Sequence, residues 1–222
     1  MTTSVGQVDA VGGGGGNTAT TAGVNTAATG STFLVGVADS GVTGFNTPTD
    51  SKSNTYTLIG TAITGGEALA VYASVNGTGG SSHTVTATDT GGVGLVSIVF
   101  VEILGAKTSG AIDNGSQAQT TDAATPFTLS SNAFAQANNL VGCYIMGTGL
   151  GGNPCTFVDS LGMTVHATAV VDGNSNFPLA FAYKNVTSTS AESVSFTLSA
   201  GSLSDCSLNI FGVQEGSTVG NI

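Results

Sequence analysis

The chain has 222 residues, a net charge of −10 and only 7% charged side chains, against about 25% in ordinary soluble domains. Its only cations are Lys52, Lys107 and Lys184; three scattered lysines exclude nucleic acid as a partner, because a phosphate backbone requires clustered cations, and an anionic membrane surface would repel the chain. The 40% hydrophobic content is enough for a real core, so solubility must come from Thr, Ser, Asn and the backbone.

Residues 1–30 come first. Met1–Gln7 has no basic stretch followed by an apolar one, so no secretory signal is expected and the chain reads as made in the cytoplasm. The five glycines Gly12–Gly16 and the polar run after them bury too little apolar surface to order themselves. This segment reads as an extended Gly-rich N-terminal arm, held by a partner chain or neighbouring subunit. A phosphate loop is excluded, since Asn17–Thr18 stands where such a loop needs Lys–Ser/Thr and a helix.

From Ser31 onward the pattern is that of strands. Phe33–Ala38 is apolar on both faces, as in a doubly covered strand. Strands are expected at Asn54–Ile63, Ala68–Asn76, Ser82–Asp89 and Leu95–Gly105, with turns at Gly65–Gly66, Asn76–Gly77 and Gly91–Gly92. Lys107–Asn138 reads as a polar linker, with a short strand at Phe127–Ser131 and one helical turn at Asn132–Asn138. Further strands are expected at Leu140–Gly147, Thr156–Val158, Met163–Val171, Leu179–Val186, Ser193–Ser199 and Cys206–Gln214, and residues 217–222 read as a tail. No apolar window is long enough for a membrane helix. The fold class is all-β, with about ten to twelve strands in a β-sandwich with jelly-roll-like connections.

The chain also repeats. Leu34–Val35–Gly36 returns as Leu140–Val141–Gly142, Leu69–Ala73 as Leu179–Tyr183, His83–Thr88 as Glu192–Thr197, Val96–Phe100 as Cys206–Ile210 and Thr49–Ser51 as Val158–Ser160, at offsets of about 106–110 residues. Two similar halves, 31–106 and 139–216, are therefore expected to share one core within residues 31–216, joined by the linker 107–138.

Five groups of residues bear on chemistry. His83 and His166 lack a nucleophile-elbow context and read as solvent-facing or rim strand residues, not as bases. Asp50 and Asp159, at equivalent repeat positions, read as Asx-turn caps in preference to paired glycosidase carboxylates or a cation site. Asp113–Asn114 and Asp172–Gly173–Asn174 are the best loops for calcium, yet neither follows a known repeat. Cys143, Cys155 and Cys206 read as buried thiols, with a Cys143–Cys155 hairpin bridge as the alternative, and their spacings match no zinc pattern. Trp is absent, and Tyr56, Tyr72, Tyr144 and Tyr183 all fall in expected strands, where packing is their role. No catalytic, cofactor-binding or metal-ligating residue is assigned, no cofactor is expected, and the chain reads as a non-enzyme.

Several stretches together carry a resemblance: Phe33–Gly36, Asp50–Thr57, Val71–Ala73, His83–Thr86, Val101–Gly105, Asn138–Gly142 and Ala182–Val186. Over roughly residues 31–215 the chain resembles a family of β-sandwich proteins of bacteriophage and bacterial genomes, departing from it where Ile103–Leu104 stands for Tyr–Ser. The resemblance implies no catalytic residues. It implies a structural virion protein on the capsid surface, a decoration or cement protein or a head fibre, anchored to the major capsid protein by the arm and assembled as a homotrimer. The alternative it implies is a tail- or head-fibre adhesin for host surface glycans.

Overall fold

The computed structural model describes residues 2–12, 16–40, 44–64, 67–91, 94–122, 127–150, 157–159, 162–172, 175–198 and 202–216. Among these the chain is all-β, with sixteen strands and no helix. The first eight are β1 (Ser4–Val11), β2 (Thr18–Thr20), β3 (Thr29–Ser40), β4 (Thr49–Asp50), β5 (Thr57–Thr64), β6 (Glu67–Thr78), β7 (Val85–Thr88) and β8 (Ser97–Leu104). The next eight are β9 (Ile112–Asp122), β10 (Phe127–Ser130), β11 (Asn139–Leu150), β12 (Phe157–Asp159), β13 (Thr164–Asp172), β14 (Ser175–Val186), β15 (Ser193–Leu198) and β16 (Ser202–Gln214).

The first set forms a five-stranded sheet, β1-β8-β3-β6-β5, and a three-stranded one, β2-β7-β4. The second forms β13-β14-β11-β16-β9 and β10-β15-β12, the same orders with eight added to each strand number. The named ladders are all antiparallel. Each motif pair from the sequence falls on strands eight apart, for example Leu34 on β3 and Leu140 on β11.

The sheets stack in four layers. The two five-stranded sheets face each other through a central core that joins Leu34, Leu69 and Val101 to Leu140, Tyr144, Phe181 and Phe211. Each carries a three-stranded sheet on its other side: Phe33, Val35 and Phe100 pack against Val85 and Ala87, and Val141, Ile145 and Leu208 against Phe127 and Phe196. Neighbouring residues Leu34 and Val35 thus enter different cores, because successive strand side chains point to opposite faces. That is why the middle of β3, Phe33–Ala38, is apolar on both faces. Across the central core β1 lies by β13, β8 by β14, β6 by β16 and β5 by β9, so the second sheet is laid on the first in reversed order. Near the middle, Gly36 leaves room for Tyr144, whose ring would lie 2.2 Å from a Cβ added there.

The N-terminal segment corrects the arm reading. Ser4–Val11 pairs with β8, and Thr18–Thr20 with β7; Gly13–Gly15 lie outside the described residues. Order comes from tertiary partners. The buried Glu102 carboxylate accepts the Gln7 amide at 3.2 Å, the Ala27 amide at 2.7 Å and the Ser31 hydroxyl at 2.7 Å, and Asp9 accepts the Gly23 amide at 2.8 Å. Gly6 passes so close to Glu102 that an added Cβ would meet its Oε2 at 2.6 Å. The linker reading is corrected in part: 107–138 holds the expected short strand as β10 but also β9, and Asn132–Asn138 has bends at residues 135–138 where a helical turn was expected.

The central core also holds polar atoms. Asn209 on β16 is fully buried, and among the described residues neither its Oδ1 nor its Nδ2 has a hydrogen-bond partner. Its place in the repeat is that of Val99 on β8, itself buried in the same core. A buried amide without hydrogen bonds costs about 1–3 kcal/mol. Asn209→Val is therefore expected to raise stability by about 1–2 kcal/mol, seen as a higher denaturation midpoint; a lower one would mean that the amide is satisfied.

Candidate functional site

The densest polar cluster lies at one end of the first small sheet. Asp50 ends β4, and the chain then turns through Ser53 at φ 61° before entering β5. Its Oδ1 accepts the amides of Lys52 and Asn54, both at 3.0 Å, which is the Asx-type cap expected of it. Its Oδ2 accepts three more donors: Asn54 Nδ2 at 2.7 Å, Tyr56 Oη at 2.8 Å and His83 Nε2 at 2.9 Å. Across the His83 ring, Nδ1 lies 3.0 Å from Thr26 Oγ1.

His83 is not at the rim as the sequence reading had it. It is fully buried, with its ring edge-on to Phe33 at 4.7 Å and Phe100 at 5.0 Å. An isolated bridge to Val24 fixes its backbone, so the ring points inward beneath the segment that follows β2. Burial is the largest influence on the Asp50 carboxyl and pushes its pKa up. The Asn54, His83 and Tyr56 hydrogen bonds together outweigh burial, and the net shift is downward from 3.8. Burial, then the adjacent carboxylate, drives the Tyr56 phenol strongly upward, so it stays protonated and donates.

Asp50, His83 and Thr26 thus line up as carboxylate, imidazole and hydroxyl. The hydroxyl end is closed, however: Thr26 is buried, and its Oγ1 accepts the Gly80 amide at 3.1 Å. The cluster ties three chain segments together, and that is the chemistry its geometry supports. A carboxyl with a lowered folded-state pKa stabilises the fold above its unfolded value and loses that contribution as pH falls through the folded one. Unfolding is therefore expected to become easier below about pH 4. In Asp50→Asn that acid-dependent part should disappear from stability curves taken between neutral and strongly acid pH, leaving a variant weaker at neutral pH but flatter toward acid.

The other candidates are not brought together. Asp50 and Asp159 lie on β4 and β12, in the two outermost layers, so they cannot flank one glycosidic bond. Their registers differ too: Asp50 pairs with Val85, whereas Asp159 pairs with Phe196, whose repeat counterpart is Ala87. His166 sits on β13 opposite Phe181, in a different sheet from the His83 bridge. Asp113 lies in β9, not in a loop, and its Oδ2 accepts the Ala135 amide at 3.0 Å and Gln214 Nε2 at 2.9 Å. Asp172 ends β13, while Gly173 and Asn174 lie outside the described residues. Among the described residues no group of three or more His, Cys, Asp and Glu side chains converges as metal ligands would. Cys143 and Cys206 are buried thiols; Cys155 lies outside the described residues. Tyr56 precedes β5, although a strand was expected to include it. Thr26 and Glu102 escaped attention as site residues, for isolated polar positions give no periodic signal.

The outer faces of the small sheets bear hydroxyls. Thr18 and Thr88 pair their hydroxyls at 2.9 Å, and Thr20 and Thr86 at 2.8 Å. Thr128 donates to Ser195 at 2.9 Å, and Ser130 to Ser193 at 3.0 Å. These rows supply the polarity that charges would provide elsewhere. In comparisons with family models, curated proteins and solved structures, the chain matches none.

Proposed function

We propose that this protein is a structural shell subunit, a capsid decoration or cement protein of a bacteriophage head, built from two fused jelly-roll-like units. The observation that supports the reading is the strand order. An order of β1-β8-β3-β6-β5 over β2-β7-β4 suits an eight-stranded jelly roll whose fifth strand has joined the larger sheet. The second set of eight repeats it, and the motif pairs fall on matching strands, as duplication would leave them. Jelly rolls serve in capsids, lectins and enzymes alike. Here the Asp50–His83–Thr26 cluster, closed at its hydroxyl end, favours a structural role over catalysis. Because the N-terminal segment is built into the sheets, the reading moves attachment to the major capsid protein from a free arm to the outer faces and sheet edges. There the subunit would bury surface across capsomer junctions and add interface free energy to the shell.

The test is cryo-microscopy of purified particles from lysates that contain the protein. Density for a four-layer block on the head surface is expected; particles without the protein would sink the reading. The uncharged hydroxyl rows favour one second reading, a fibre adhesin on neutral host glycans. Binding of the purified protein on a glycan array, lost in a Thr20→Lys, Thr86→Lys double variant, would support that instead.

A further inference from the structure

A sheet edge offers unpaired backbone donors and acceptors, and proteins normally blunt it with charge, proline or cover. β5 is such an edge, with β6 as its single ladder partner among the described residues. Residues 53–66 contain neither a charge nor a proline. Among the described residues the exposed large hydrophobics are Leu58, at 49%, and Ile63, at 47%, and both stand on this strand.

The bulge in β5 does not hide them; it aligns them. Five residues apart, Leu58 and Ile63 would ordinarily point to opposite faces. The register shifts between Leu58 and Gly60. Ile59 packs on the central core, and Gly60 faces Asn209 across it, so two successive residues turn inward. Leu58 and Ile63 therefore share the outer face.

The strand is also complementary to itself. Reversed about Gly60–Thr61, Leu58 falls opposite Ile63, and Ile59 opposite Ala62. Two copies of a chain with net charge −10 repel over most of their surface, and a charge-free edge is where like meets like at least cost. We propose that β5 is a self-association edge, on which a second copy of this chain adds its own β5 antiparallel about a two-fold axis. Leu58 then packs on Ile63 of the partner subunit, and the two five-stranded sheets continue as one ten-stranded sheet. The pairing stands or falls separately from the shell reading. It gives a dimer, not the trimer that the resemblance implies.

Sedimentation and light scattering of the purified full chain test it. The wild type is expected at twice the chain mass. Leu58→Lys and Ile63→Lys, each at an already exposed position, should be monomers with wild-type circular dichroism and melting. Thr20→Lys, equally exposed on β2, should remain a dimer. Hydrogen exchange gives a check that needs no variant: amides of Thr57–Thr64 should gain protection as the concentration rises. A wild type that is monomeric throughout its soluble range, a trimer, a dimer that survives both lysines, or concentration-independent exchange at β5 would each overturn the proposal.

Discussion

Gly36→Val is expected to abolish the folded state, and Gly36→Ala to cost about 3 kcal/mol, the upper end for overpacking one small group. A Cβ at residue 36 would lie 2.2 Å from Tyr144 Cδ1 and 2.4 Å from Cε1. The ring has nowhere to go. Tyr144 is fully buried, its hydroxyl donates to the Val99 carbonyl at 3.2 Å, and Phe181 and Phe211 stand 5.0 and 6.0 Å from its centroid. Interiors packed at crystal-like density cannot absorb such a shift locally. Against a total stability of about 5–15 kcal/mol, the branched side chain of valine is too much. The check is urea denaturation of Gly36→Ala alone and combined with Tyr144→Leu. The pair should be more stable than the sum of the single losses predicts, because removing the ring removes the clash. A Gly36→Ala protein that denatures like wild type would show that the ring is not seated there.

Deleting residues 2–30 is expected to leave no cooperative unfolding transition and little soluble protein. Read from composition alone the segment is a detachable arm, and its loss would be harmless. In the fold it is two strands. Removal strips β1 from β8 and β2 from β7, baring backbone groups along both. It also takes away the Gln7 and Ala27 donors to Glu102 and leaves a buried carboxylate with the Ser31 hydroxyl alone. Leaving a buried polar group without its hydrogen-bond partners costs about 1–3 kcal/mol before lost packing is counted. Ala19 leaves the core it shares with Val85 and Ala87. Circular dichroism and a melting curve on the truncated chain decide the matter; a sharp transition near the wild-type temperature would restore the arm.

Much of the architecture was legible where burial is two-sided. Phe33–Ala38, Leu69–Ala73 and Leu140–Ile145 are apolar on both faces because each five-stranded sheet lies between two others, and apolar runs this short, set between glycine-rich turns, read as buried strands. Strands at the sheet edges were harder. β1 is partly exposed along most of its length and contains glycine, so its local pattern says coil; the partners that order it are about 95 residues away, in β8. β9, whose polar residues include two each of Gln, Thr and Asp, was taken for linker on the same grounds. His83 misled for a related reason. Its Thr-rich strand alternates wet and dry, and the histidine falls on the dry side, opposite Val24. Burial of an imidazole depends on Asp50 and Thr26, neither of which is near it in sequence.

In each set of eight the opening strand pairs with the closing one: β1 with β8, and β9 with β16. Neither set can finish its larger sheet until its last strand has been made, so the contacts are long in sequence and assembly should be slow. On the ribosome the leading eight strands would emerge as a complete module while the trailing eight are still being made. One broad apolar sheet face would then wait for its cover, making the interval between the two modules the step at which chaperones matter most for yield.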